Sequence, residues 1–256
     1  MLTGFIQYNV SRNPDENIKI IRQALSTNRY DIAVLPELCL YGYLFANRDE
    51  LAAAAEKVPG GCYYEKLLEL SAEFTCTLVY GTAEFDCGSI YNTAVVVSRG
   101  KYVGKYRKRH LSDFEKRLFT CGDSIGIFEV GSIKIGVEIC FDLWFPEISR
   151  ELLLAGADII CVLANFGGET SRKIAQLRAV ENLTPLVLCN RIGHESLPDI
   201  DADFLGKSAV FDRDGSCLAG DTTVHQSVSV ELDLAAPRSN VICRDFMSEI
   251  SQHYNR

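Results

Sequence analysis

Three short segments each place a reactive side chain where an apolar run stops. They are Leu35-Pro36-Glu37-Leu38, Tyr106-Arg107-Lys108-Arg109-His110-Leu111 and Ile139-Cys140-Phe141-Asp142. Hydrolysis of an amide-like carbon–nitrogen bond needs a nucleophile, a base to take its proton, and a cation or donors for the oxyanion. Cys140, Glu37 and Lys108 supply one of each. A carboxylate at the exit of a buried strand loses solvent, which raises its pKa towards that of a useful base. Cys140 ends a strand that runs through a turn to a helix near Pro146. Helix N-terminal amides there would favour a thiolate, and the Phe141 N–H would be placed to donate to an oxyanion. Each segment alone also has a plain structural reading: Glu37 as a turn cap, Lys108 in a solvated basic turn, Cys140 as one more buried thiol among ten. None of the four histidines sits where a Cys–His pair is suggested.

The elements that must carry these residues alternate between strands and helices. Apolar runs predict strands over residues 5–10 and 31–35, with a helix opening at Pro14-Asp15-Glu16 between them. Helices are expected over 47–57 and 63–74, split by Pro59-Gly60-Gly61. Strands follow over 77–84, 91–98 and 102–105, the last two joined by Arg99-Gly100, and then an irregular polar stretch over 108–123. Strands over 125–130 and 133–139 precede a helix over 146–155, a strand over 158–164, a helix over 172–182 and a strand over 186–190. A long loop is expected next, its acidic residues from Glu195 to Asp203 read as solvated. Strands over 208–211 and 228–232 flank a turn at Asp212-Arg213-Asp214-Gly215, and 233–256 reads as a tail. Hairpin connections among the helical crossovers predict mixed sheets. Residues 1–256 read as a single α/β domain of two packed sheets between helices.

Composition narrows the class. Hydrophobic residues make up 47% and charged residues 23% of the 256, which leaves room for a large core and argues against disorder. A net charge of −8 argues against nucleic acid as a partner. No apolar run reaches the ~18 residues of a membrane span, and the N-terminus lacks a signal-peptide pattern, so a cytoplasmic location without membrane contact is expected. The cysteines are scattered, with no Cys-x-x-Cys pair and none at zinc-ligand spacing, so no metal site is expected.

Taken in order, the segments resemble the nitrilase superfamily of carbon–nitrogen hydrolases. The resemblance rests on Pro36-Glu37 with Gly42-Tyr43, on residues 106–111, and on Cys140-Phe141-Asp142 with Phe145-Pro146-Glu147. Arg178-Ala179-Val180-Glu181-Asn182, Asn190-Arg191-Ile192-Gly193, Gly206-Lys207-Ser208 and Asp214-Gly215 extend it over nearly the whole chain. It implies a four-layer αββα sandwich that pairs into homodimers, with no metal or organic cofactor. It implies Glu37 as general base, Cys140 as nucleophile and Lys108 as oxyanion stabiliser. Glu115 matches a second family glutamate that positions the lysine or the substrate. Tyr43, Phe141, Trp144, Asn165 and Phe166 match the region that contacts substrate. Members acting on ω-amides of dicarboxylic acids typically carry Arg four residues after the nucleophile, where this chain has Trp144. Cys-x-Asp-x-Trp-Phe-Pro-Glu is instead similar to N-carbamoylputrescine amidohydrolases. The expected activity is hydrolysis of a small amide or N-carbamoyl bond through a thioester, releasing ammonia or an amine. A nitrilase acting on a small cyano compound, and a catalytically silent binding protein on the same fold, remain as alternatives.

Overall fold

The computed structural model describes residues 1–239 and 242–254. The first sheet holds β1 (Leu2–Gln7), β2 (Ile32–Val34), β3 (Thr77–Asp86), β4 (Ser89–Ser98) and β5 (Lys101–Arg107). The second holds β6 (Ile127–Val130), β7 (Ile133–Ile139), β8 (Ile159–Ala164), β9 (Leu186–Asn190), β12 (Ala209–Phe211) and β13 (Cys217–Gly220). Between β9 and β12 lies a separate hairpin of β10 (Ile192–Leu197) and β11 (Ile200–Leu205), and β14 (Gln226–Glu231) returns to the first sheet. The orders are β14-β1-β2-β3-β4-β5 and β13-β12-β9-β8-β7-β6. In each sheet three central strands are parallel and their neighbours antiparallel, as expected for mixed sheets.

Strands buried on both faces explain the near-continuous apolar runs. Phe5, Val34, Val79 and Val96 of the first sheet meet Ile135, Val137, Ile139, Cys161 and Leu163 of the second in one shared core. On the outer face of the first sheet, Ile6, Tyr8, Leu78, Tyr80 and Val95 pack against α1 (Pro14–Thr27) and α3 (Cys62–Glu73) through Ile21, Leu25, Leu67 and Leu70. On the outer face of the second, α4 (Pro146–Leu154) and α5 (Glu169–Asn182) supply Leu152, Ala175 and Ala179. The result is the four-layer αββα sandwich, with α2 (Arg48–Ala54) over a side cluster of Leu38, Phe45 and Leu118.

Helix starts follow local chemistry. Asn13 caps α1 through its side chain, with Pro14 in the first turn; Asn47 caps α2 by accepting from the Glu50 N–H at 2.9 Å. The β4–β5 connection has positive φ at both Arg99 (50°) and Gly100 (75°), the backbone a two-residue hairpin requires.

Three expectations need correction. The expected loop after β9 is the β10–β11 hairpin, whose exposed residues alternate with covered ones along each strand. The turn at residues 212–215 is flanked by β12 and β13, and not by the strand expected over 228–232: β12 pairs with β9 and β13, whereas β14 pairs with β1 in the opposite sheet. The expected tail contains α6 (Phe246–Tyr254); its residues 240–241 and 255–256 lie outside the described residues. Among the described residues no helix is long and apolar enough to cross a membrane.

Candidate active site

The parallel strands bring the three segments to one end of the sandwich. β5 lies two antiparallel steps from β3, so it runs the same way, and Lys108 leaves the sheet at the end where Glu37 leaves β2. Cys140 leaves β7 at the corresponding end of the second sheet, whose neighbour β8 touches β2 across the interface. Strand carboxyl ends are where α/β folds gather their ligands.

Each segment is fixed by local backbone. After β2 the chain passes over Gly81 of β3, where an added Cβ would stand 2.7 Å from the Glu37 Cα and 2.6 Å from the Leu38 nitrogen. Only glycine permits that approach. The Lys108 N–H donates to the Asn92 carbonyl of β4 at 2.9 Å. Cys140 opens a short 3-10 turn to Trp144, and its φ of +49° is a left-handed conformation that a side chain adopts only under constraint.

Glu37, Lys108 and Glu115 are fully buried. Lys108 Nζ donates to Glu37 Oε1 at 2.7 Å and to Glu115 Oε1 at 2.6 Å. Asn92 Nδ2 joins the same two carboxylates, at 2.7 Å and 3.1 Å. Glu115 Oε2 accepts the Ser112 N–H at 2.9 Å, which holds the turn that carries it. Among the described residues, Glu37 Oε2 has no hydrogen-bond partner.

Burial raises the Glu37 pKa above the ordinary carboxylate value; the Lys108 ammonium opposes the rise and the Glu115 charge adds to it. Burial alone would lower Lys108, but Glu37 and then Glu115 outweigh it and hold the ammonium well above its usual value. Burial, then the Glu37 charge, push the Cys140 thiol well above the ordinary value, and Lys108 together with the Asn165 N–H only partly offsets them. A thiol raised in this way needs a base, the part the sequence gives to Glu37, and the helix N-terminal amides alone do not set its protonation.

The surrounding residues are small or aromatic. Cys140, Asn165 and Phe166 each keep only 8% exposure. Asn165 is the first residue past β8, and neither atom of its carboxamide has a protein partner among the described residues. Phe166 is held by Asn190, which accepts its N–H at 2.7 Å and donates to its carbonyl at 3.0 Å. Tyr43 packs on Phe114 and edge-on to Phe204, near enough for its hydroxyl to feel the charges of Glu115, Lys108 and Glu37. Phe141 is half-buried and edge-on to Phe145. Trp144 stands at the surface, 45% exposed, its indole N–H donating to Ser171 at 3.2 Å.

Sequence reasoning missed Asn92. It lies in the apolar run of β4, where a carboxamide between Tyr91 and Thr93 is the one signal available. The sequence motif gives Asp142 no role, and the sequence reads Glu195 as one of a run of solvated acids.

A family model described as carbon-nitrogen hydrolase matches residues 4–239. A protein named nitrilase from Pyrococcus abyssi is 37% identical over 235 residues, 90% of this chain and 88% of its own. An N-carbamoylputrescine amidase from Solanum lycopersicum is 30% identical over 73% of this chain and 67% of its own. A crystal structure of a carbon-nitrogen hydrolase from Helicobacter pylori G27 superposes with a TM-score of 0.83 at 25% identity, covering 100% of this chain and 93% of that one. The chain belongs to the carbon–nitrogen hydrolase family of the nitrilase superfamily and is an enzyme of that class.

Proposed function

We propose that the protein hydrolyses a small, uncharged amide or N-carbamoyl bond through a thioester on Cys140. The observation that carries this reading is the Glu37 carboxylate: one oxygen is committed to Lys108 and Asn92, the other is buried without a partner among the described residues, and the charge of the group acts on the Cys140 thiol. In this reading Glu37 takes the thiol proton as sulfur attacks the carbonyl carbon. Lys108 stabilises the oxyanion, and Glu37 returns the proton to the departing ammonia or amine. Water then gives its proton to Glu37 and hydrolyses the thioester. Glu115 holds Lys108 in place.

Substrate size and charge follow from the same site. The narrow exposure at Cys140, Asn165 and Phe166 favours a small molecule. Two buried glutamates against one lysine disfavour a substrate carboxylate near the reacting carbon. Asn165 offers one buried donor and one buried acceptor, which an amide or ureide satisfies together. The 37% identity to a protein named nitrilase supports a second reading, attack of the same thiol on a cyano carbon. We also propose a homodimer: Leu154 of α4 and Leu177 and Val180 of α5 expose apolar side chains on neighbouring helices. Sedimentation at monomer mass would count against it.

Ammonia release from a panel of small amides, N-carbamoyl amines, N-carbamoyl amino acids and nitriles tests the function. Turnover that is abolished in Cys140→Ala supports the hydrolase, and the best substrate decides between amide and nitrile. Absence of turnover, with Cys140 labelled no faster than the other cysteines, would leave a binding protein.

A further inference from the structure

The site is built in two halves. Glu37, Asn92, Lys108 and Glu115 belong to the first sheet and its connections, and hydrogen bonds tie them to one another. Cys140 belongs to the second sheet. The distance from ammonium to sulfur therefore depends on what joins the halves.

One buried carboxylate does so. Asp142 Oδ2 accepts the Tyr106 hydroxyl at 2.8 Å and the Ile139 N–H at 3.2 Å. Its Oδ1 accepts the His110 N–H at 2.9 Å and lies 3.0 Å from His110 Nδ1. Tyr106 and His110 stand two residues to either side of Lys108, and Ile139 and Asp142 bracket Cys140. The His110 ring also stacks on Phe145 at 3.7 Å, just past the Cys140 turn. Burial keeps the Tyr106 phenol protonated, so it remains a donor to the carboxylate.

We propose that Asp142 is a positioning residue: it clamps both flanks of Lys108 to both flanks of Cys140 and so sets where the ammonium stands over the reacting carbonyl. This rests on the roles proposed above for Lys108 and Cys140. Glu37 is outside the clamp, since its backbone is fixed by the β2 exit against Gly81. Loss of Asp142 should therefore damage oxyanion stabilisation more than removal of the thiol proton.

The experiment uses the full chain with Asp142→Asn, Tyr106→Phe and wild type. It reads kcat and KM on the best amide from the panel, and the rate of Cys140 alkylation by iodoacetamide. Alkylation needs the thiol and its base but passes through no oxyanion. For Asp142→Asn, kcat should fall about 100-fold, the order of one lost oxyanion donor, with KM and alkylation within about threefold of wild type. Tyr106→Phe removes only a hydroxyl and keeps the ring; it should show the same split at about tenfold, which covers the case in which Asp142→Asn folds poorly. Unchanged kcat in both variants, or parallel loss of turnover and alkylation in both, overturns the clamp. Wild type inactive on every substrate overturns the proposed function, and the clamp with it.

Discussion

The carboxylate of Glu195, on β10, accepts the backbone N–H of Tyr43 at 3.0 Å and that of Leu44 at 2.7 Å. It also pairs with the fully buried guanidinium of Arg191. The hairpin thus holds the loop that presents Tyr43 to the site, and Gly42, with φ +83°, gives the carboxylate room. Removing one partner of a buried pair strands the other charge, at about 3–5 kcal/mol. Glu195→Ala should lower the melting temperature by roughly 10 °C, at ~2–4 °C per kcal/mol for a chain of this size. Because the Tyr43 loop loses its anchor, KM should rise more than kcat falls. A thermal scan beside steady-state kinetics checks both.

Asn92 donates to both glutamates of the site. Hydrogen bonds to charged groups contribute about 1.5–3 kcal/mol each. Asn92→Ala should lower kcat roughly 10- to 100-fold with Cys140 still in place. Asn92→Asp should be worse, since it sets a third carboxylate against two. Turnover of both variants against wild type at one pH gives the order.

The pH profile follows from Glu37. Its folded pKa lies above the ordinary 4.5 because of burial. As a base it must be ionised to act, so activity is lost as pH falls through that raised value. The acid limb of kcat/KM should therefore lie above pH 4.5. Lys108 is held well above 10.5, so it should contribute no basic limb near neutrality. An acid limb at or below the ordinary glutamate value would refute Glu37 as the base.

Glu138, two residues before Cys140, is buried with its pKa pushed up to about 8 by burial. The Ser149 hydroxyl donates to its Oε1 at 2.5 Å, and its Oε2 has no partner among the described residues. Between about pH 4.5 and 8 the folded chain holds this proton and the unfolded chain does not, so stability falls as pH rises. Glu138→Gln removes that dependence. Relative to its value at pH 5, the stability of the variant over wild type should rise by roughly 3–4 kcal/mol at pH 8, at about 1.36 kcal/mol per pH unit. Denaturant melts at the two pH values test the sign.

Local chemistry determined much of this protein before any fold was drawn. Apolar runs ending at Glu37, Lys108 and Cys140 marked three strand exits, because a change from apolar to ionisable or reactive residues breaks the pattern of a strand buried on both faces. Runs apolar on both faces required layers on both sides of each sheet. The roles within the site were not local. Asn92 pairs with residues 55 and 23 positions away, so nothing in its neighbourhood distinguishes it from a satisfied core polar. Glu195 and Asp203 share one acidic stretch, yet strand alternation in the hairpin turns Glu195 inward and leaves Asp203 exposed. The protonation of Cys140 was likewise a tertiary matter. Its turn alone would favour a thiolate, but burial between two sheets and the charge of Glu37 raise the thiol, and that environment exists only once both sheets are packed.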